Sequence, residues 1–237
     1  MEAVSLQWAG NAGWLISHEN HLIGIDLDLM SDRLWTLSVD LTQRLDYFLA
    51  THAHGDHYNT QTAQHFAQNS ACTFILPKSC EASGIPESRI LWAIPGQTLK
   101  PCPWLRFDMT HALHGHIQHS IYSGANFDDC GYLIKMGDKR FFHPGDSVLL
   151  QEHLEISDID VLFVSPTEHN THIEGSRTLI ESVNPARIFA QHFGTYPVTE
   201  ENAFWTTGYE EPLRLSLSSK HCSRFVIPEP GVVYQVL

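Results

Sequence analysis

The sequence predicts an α/β fold, a four-layer αββα sandwich formed by one domain over residues 1–237. Three observations lead there. Short apolar runs of strand length recur along the chain, and in each half a group of them is followed by helical stretches. Histidines and aspartates fall just after several of those runs, so the strands would deliver them to loops at one edge. No low-complexity segment, charge run or linker divides the chain, which is long enough to bury a sizeable core.

Taken in order, residues 4–8 and 13–18 read as strands joined through Ala9-Gly10-Asn11-Ala12, and 21–26 as a third ending in Asp26-Leu27-Asp28. Residues 31–45 form a mixed connection with some helical periodicity. Residues 45–50 are a short buried strand, and Asn59-Thr60-Gln61-Thr62 can cap a helix running to about residue 68. Between them, in a tight strand-to-helix loop, lies Thr51-His52-Ala53-His54-Gly55-Asp56-His57-Tyr58. Imidazole and carboxylate suit zinc and its first-row neighbours. One metal would rarely need four ligands from one loop and further histidines elsewhere; two metals would.

Next come a strand at 73–77, a short helix at 78–83 stopped by Gly84 and Pro86, a strand at 89–94 and a turn at Pro95-Gly96-Gln97. Residues 105–110 alternate as a half-buried strand should, and lead into His111, His114 and His116, with His119 beyond. Residues 115–129 lack periodicity and read as a loop near the site entrance. A hairpin of 130–136 and 139–142 turns at Gly137-Asp138 and delivers His143-Pro144-Gly145-Asp146. Asp146 could be an N-cap for a helix at 147–153. A buried strand at 160–165 precedes a loop with His169 and His172. A helix at 174–183 is closed by Asn184-Pro185, and a strand at 186–191 delivers His192-Phe193-Gly194-Thr195-Tyr196-Pro197. Residues 203–219 are helical in pattern, interrupted near Gly208 and Pro212. Strands at 224–227 and 231–236 flank a rigid Pro228-Glu229-Pro230-Gly231 turn.

The loop His52-x-His54-x-Asp56-His57 resembles the His-x-His-x-Asp-His signature of the metallo-β-lactamase superfamily. The stretch from His192 to Pro197 is similar to the C-terminal histidine motif of one branch, the L-ascorbate-6-phosphate-lactonase-like and related uncharacterised metal-dependent hydrolases. The resemblance implies a first metal on His52, His54 and His114 and a second on Asp56, His57 and His192, with Asp146 bridging them. His114, followed by the small Gly115, fits the third position best, with His111 and His116 as alternatives. Asp56 and Asp146 are then also the catalytic carboxylates, and Asp26 braces the metal loop. His143 reads as a packed residue or one that supports a ligand, and the roles of His111, His116, His119, His143, His169 and His172 stay open. Many relatives carry a histidine where this chain has Asn11.

The cofactors so implied are two divalent ions, zinc first, with manganese and iron also suited. A water between two dications loses its proton near neutral pH, so the expected chemistry is hydroxide attack on a small ester, lactone or phosphoester. The alternatives are an iron-dependent, persulfide-dioxygenase-like oxidoreductase of the same fold and a metal-binding homologue without turnover. His54 stands where iron redox relatives carry glutamate, which favours hydrolysis.

Composition narrows the partners. The formal charge is −13, and the 14 Lys and Arg are not clustered, a poor footprint for nucleic acid. No apolar run approaches the roughly 18 residues that span a bilayer. The N-terminus has no basic signal-like region, and five scattered cysteines read as reduced thiols, so a cytoplasmic enzyme of a small-molecule substrate is expected.

Overall fold

Two seven-stranded mixed sheets stack face to face in the computed structural model, which describes residues 4–38, 44–115 and 125–236. The first sheet runs through β1 (Val4–Gly10), β2 (Gly13–His18), β3 (His21–Ile25), β4 (Tyr47–Leu49), β5 (Thr73–Pro77) and β6 (Ile90–Ala93) in that spatial order. The second runs from β7 (Thr98–Cys102) through β8 (Leu105–His111), β9 (Cys130–Met136), β10 (Lys139–His143), β11 (Val161–Val164) and β12 (Arg187–Ala190) to β13 (Phe225–Val226). A last strand, β14 (Val233–Val236), pairs antiparallel with β1 and so returns the chain to the first sheet.

Each sheet is antiparallel in one half and parallel in the other. Strands β3 to β6 are mutually parallel, as are β10 to β13. Strands buried on both faces should be apolar throughout rather than alternating, and β11, Val-Leu-Phe-Val, is fully buried. Its side chains still sort by period two. Val161 and Phe163 join the core between the sheets, while Leu162 and Val164 face an outer helical layer. In the same way Leu49 and Ile75 point between the sheets, whereas Phe48 and Phe74 point outward.

The outer layers are helical. The first sheet is covered by α1 (Thr60–Asn69), whose Ala63 and Phe66 pack on Phe48 and Phe74. Asn59 caps it as expected, its side chain accepting from the Thr62 N–H at 3.0 Å. After a single turn, α2 (Gln151–Leu154), the second sheet is covered by α3 (His172–Val183), which ends on left-handed Asn184 before Pro185. Then come α4 (Ala203–Thr206), α5 (Glu210–Ser216) and α6 (Ser219–Cys222). The layers are therefore helix, sheet, sheet, helix.

Three expectations are corrected and one strand is added. Residues 78–83 make turns, not a helix: the stretch between Pro77 and Gly84 is too short to repay helix nucleation. The helix expected at 147–153 shrinks to α2, because Val148 N–H bonds the Leu113 carbonyl (2.9 Å) and Ser147 Oγ accepts from Leu113 N–H (3.0 Å). Asp146 is accordingly no N-cap. Residues 31–38 are irregular, and the rest of the 31–45 connection falls partly outside the described residues. Strand β7 was not expected; it contains Pro101 and sits at a sheet edge, where the missing N–H is tolerated.

Candidate metal centre

The site lies at the carboxyl ends of the parallel strands, where loops from both sheets meet. Strand β3 ends in Asp26 and β4 leads through Ala50 into Thr51. Thr51 N–H and Oγ1–H donate to the two Asp26 oxygens at 2.7 and 2.8 Å, and His57 Nδ1 donates to Asp26 Oδ2 at 2.8 Å. The Asp26 and His57 side chains are completely buried. A strand-end carboxylate thus fixes both ends of the histidine loop, the brace expected of Asp26.

Ligand-capable atoms gather in overlapping groups. His52, His54 and His114 form one; Asp56, His57 and His192 form a second. Asp146 stands between, grouped with His52 and His57 on one side and with His114 and His169 on the other. Within each group the atoms lie within 4.8 Å of one another. Seven side chains from four loops are therefore brought together. His111 is not among them: it is half-exposed and held by Glu152 through its N–H (2.6 Å) and Nδ1 (2.9 Å). His116 and His119 lie outside the described residues.

The donor set fits divalent cations on a simple proton argument. In the neutral ring one nitrogen donates and the other is a bare lone pair. His57, His114, His169 and His192 each commit Nδ1 to an acceptor: Asp26, the Gly115 carbonyl (3.2 Å), the Phe204 carbonyl (3.3 Å) and the Trp205 carbonyl (2.8 Å). His52 Nδ1 does the same toward Thr51 Oγ1 (3.0 Å), whose own proton goes to Asp26. The Nε2 lone pairs then face inward, toward neighbouring ring nitrogens and Asp146. His57 Nε2 is 3.1 Å from His192 Nε2, and His52 Nε2 is 3.0 Å from His54 Nδ1. His169 and His192 Nε2 lie 2.8 and 3.1 Å from Asp146 Oδ2. Asp146 Oδ1 is buried without a hydrogen-bond partner among the described residues. Converging lone pairs need positive charge between them, and outward hydrogen bonds of this kind orient metal-binding imidazoles.

Titration behaviour follows the same geometry. Burial, then neighbouring His57, pulls His52 well below the usual histidine range, and burial lowers His54 and His169. These rings are kept neutral, as a ligand must be. Burial opposes charge on His57 too, but Asp146, Asp56 and Asp26 outweigh it and hold the ring well above that range. Burial would raise Asp146; His192, His57 and His169 override it and keep the carboxyl well below the usual carboxylate range.

Two residues were not assigned from sequence. His169 is 2% exposed and ends up against Asp146; its one signal was its place just after a buried strand, like the other site histidines. Asn11 donates from Nδ2 to Asp56 Oδ2 at 2.9 Å. His143 is buried, bonding the Ala12 carbonyl (2.9 Å) and packing on Phe163. His172 begins α3 near Tyr209, away from the cluster.

Paired mixed sheets with imidazoles and carboxylates collected at one edge define a metallo-β-lactamase fold. The beta-lactamase superfamily domain pattern matches residues 27–193, and the chain belongs to that family. A UPF0173 metal-dependent hydrolase of Desulforamulus reducens is 23% identical over 84% of this chain and 88% of its own. Igni18, a metallo hydrolase of the archaeon Ignicoccus hospitalis, superposes with a TM-score of 0.74 at 19% identity, over 98% of each chain. CmlA, a diiron β-hydroxylase of Streptomyces venezuelae, superposes with a TM-score of 0.71 at 15% identity; 99% of this chain covers 54% of CmlA.

Proposed function

We propose that this protein is a metal-dependent hydrolase with a dinuclear site, acting on a small ester, lactone or phosphoester in the cytoplasm. One observation carries the reading: two three-residue ligand groups converge on the buried, acceptor-only Asp146. His52, His54 and His114 would hold one ion and Asp56, His57 and His192 the other, with Asp146 standing between the two groups. Zinc is the first choice, and manganese and iron suit the same donors. Such ions polarise the reacting centre and acidify a water at neutral pH. The chain's own residues orient the donors: Asp26 and Thr51 hold His57 and His52, and the Trp205 carbonyl holds His192. The free state of all five cysteines supports a reducing compartment. Among the described residues no helix is long and apolar enough to cross a membrane.

Protein loaded with zinc or manganese should turn over a lactone or phosphodiester panel, lose activity on chelation and regain it on reloading. Asp146→Asn should cost about 100-fold or more in kcat/KM. The likeness to CmlA supports a second reading, a di-iron oxidoreductase. Iron in the protein as purified, with oxygen uptake and silence on both panels, would choose it.

A further inference from the structure

We propose, building on the hydrolase reading, that the substrate is a neutral acyl compound, an ester or lactone with no anionic handle, whose flat apolar flank lies on Phe204 and Trp205. The site opens into a cavity of about 300 Å³ whose floor is the donor cluster and whose wall is those two half-buried aromatics. That volume is at the small end for ligand sites.

None of the 14 Lys and Arg lines the cavity. All 14 belong to the described residues, so residues 39–43 and 116–124 bring none either. Arg33 reaches Asp56 electrostatically but does not line the cavity: its Nη2 donates to the Ala9 carbonyl (3.0 Å), its Nε and Nη1 are buried without a hydrogen-bond partner among the described residues, and the guanidinium lies against Trp35 and Tyr196. An adjoining cavity of about 130 Å³ shares His54 and His114 and adds Asp129, another acid. A phosphate or carboxylate carried away from the reacting centre would be desolvated here without a partner, inside a protein of net charge −13. Only the reacting carbonyl itself would meet the metal-binding floor.

Helix α4 supplies the complementary feature. Its backbone carbonyls at Phe204 and Trp205 pin His169 and His192, while the side chains of the same two residues face the cavity. One turn thus sets both the donors and the apolar wall, and truncating a side chain leaves the carbonyl in place. In the reaction, water oxygen bonds the acyl carbon and the acyl C–O bond breaks. One water proton ends on the departing alcohol and the other is released from the carboxylic acid.

The test compares phenyl acetate, 4-acetoxybenzoate, methyl acetate and bis(4-nitrophenyl) phosphate on zinc-loaded protein and on Trp205→Ala. The ring carboxylate makes 4-acetoxybenzoate the intrinsically more reactive ester. Even so, phenyl acetate should lead it by about 10-fold or more in kcat/KM, the cost of an unpaired charge. Trp205→Ala should keep its zinc content and lose about 3–10-fold of the preference for phenyl over methyl acetate, the size of an aromatic contact. Equal or reversed selectivity toward the carboxylate, or an unchanged aryl preference in Trp205→Ala, overturns the proposal. Turnover of the diester alone also overturns it and leaves the hydrolase reading standing. Silence on all four and on the lactone panel removes both.

Discussion

Asn11 ties three segments of the site into one unit. Its side chain donates to Asp56, and its carbonyl accepts from His192 N–H and Trp8 Nε1, each at 2.9 Å. Its own N–H meets Thr195 Oγ1 at 2.6 Å. The residue has φ of 49°, a left-handed conformation that asparagine and glycine tolerate. Asn11→Gly therefore isolates the side-chain amide: the backbone contacts survive, and its two bonds to Asp56, to Oδ2 (2.9 Å) and to the carbonyl (3.4 Å), are lost. Stability should fall by about 1 kcal/mol or less. Metal affinity, read by chelator competition, should fall about 10-fold, as when other groups that orient a ligand are removed. Full retention of affinity would show that Asp56 needs no such tether. The sequence marks Asn11 as a departure from the family's histidine but is silent on its partner, which lies 45 positions away. His169 is hidden for the same reason. Its contact with Asp146 exists only once β10 and β11 are paired, whereas the spacing of His52, His54, Asp56 and His57 is local and legible.

At the level of elements, long apolar strands announce themselves and short helices do not. Strands β2 and β5 fall where their patterns put them, because burial on the pleat imposes its own period. Helix α2 fails because two residues of the expected helix, Ser147 and Val148, find partners in Leu113 instead. That pairing lays the 112–115 loop against the 166–171 loop, and Gly115 is where they touch. A Cβ there would stand 2.2 Å from the His169 carbonyl oxygen and 2.6 Å from Val148 Cγ1. The first of these is backbone and cannot rotate away. Gly115→Ala should therefore cost about 1–3 kcal/mol by overpacking. Metal binding should weaken in parallel, since His114 and His169 sit on the two loops pushed apart. Melting curves and zinc titration report the two effects together. A stable variant with wild-type affinity would mean that the loops shift without disturbing the donors.

For the whole molecule, the centre joins the two sheets, so its protonation should be written into global stability. His57 comes from the first sheet's loops, and Asp146 from the second's. In the metal-free fold His57 and His192 are raised above the ordinary 6.5 by their carboxylate neighbours, against the opposing effect of burial. A raised folded pKa gives stability that is complete below the unfolded value and is lost as pH climbs through the folded one. Metal-free protein should then lose stability from about pH 6.5 upward as these protons leave and the carboxylates are stranded. Asp146 and Asp56 are lowered, so their contribution persists through that window and disappears only in acid. Metal competes with the same protons, so its affinity should rise with pH over the window in which the empty fold weakens. Bound metal at a hundredfold over its Kd adds about 3 kcal/mol. The gap in melting temperature between zinc-loaded and chelated protein should consequently widen between about pH 6 and pH 9. Zinc binding near pH 7 should release protons, seen as a binding heat that depends on the buffer's ionisation enthalpy. A constant gap with buffer-independent heat would mean that His57 and His192 are already neutral in the metal-free fold, and that their carboxylate neighbours hold no proton there for zinc to displace.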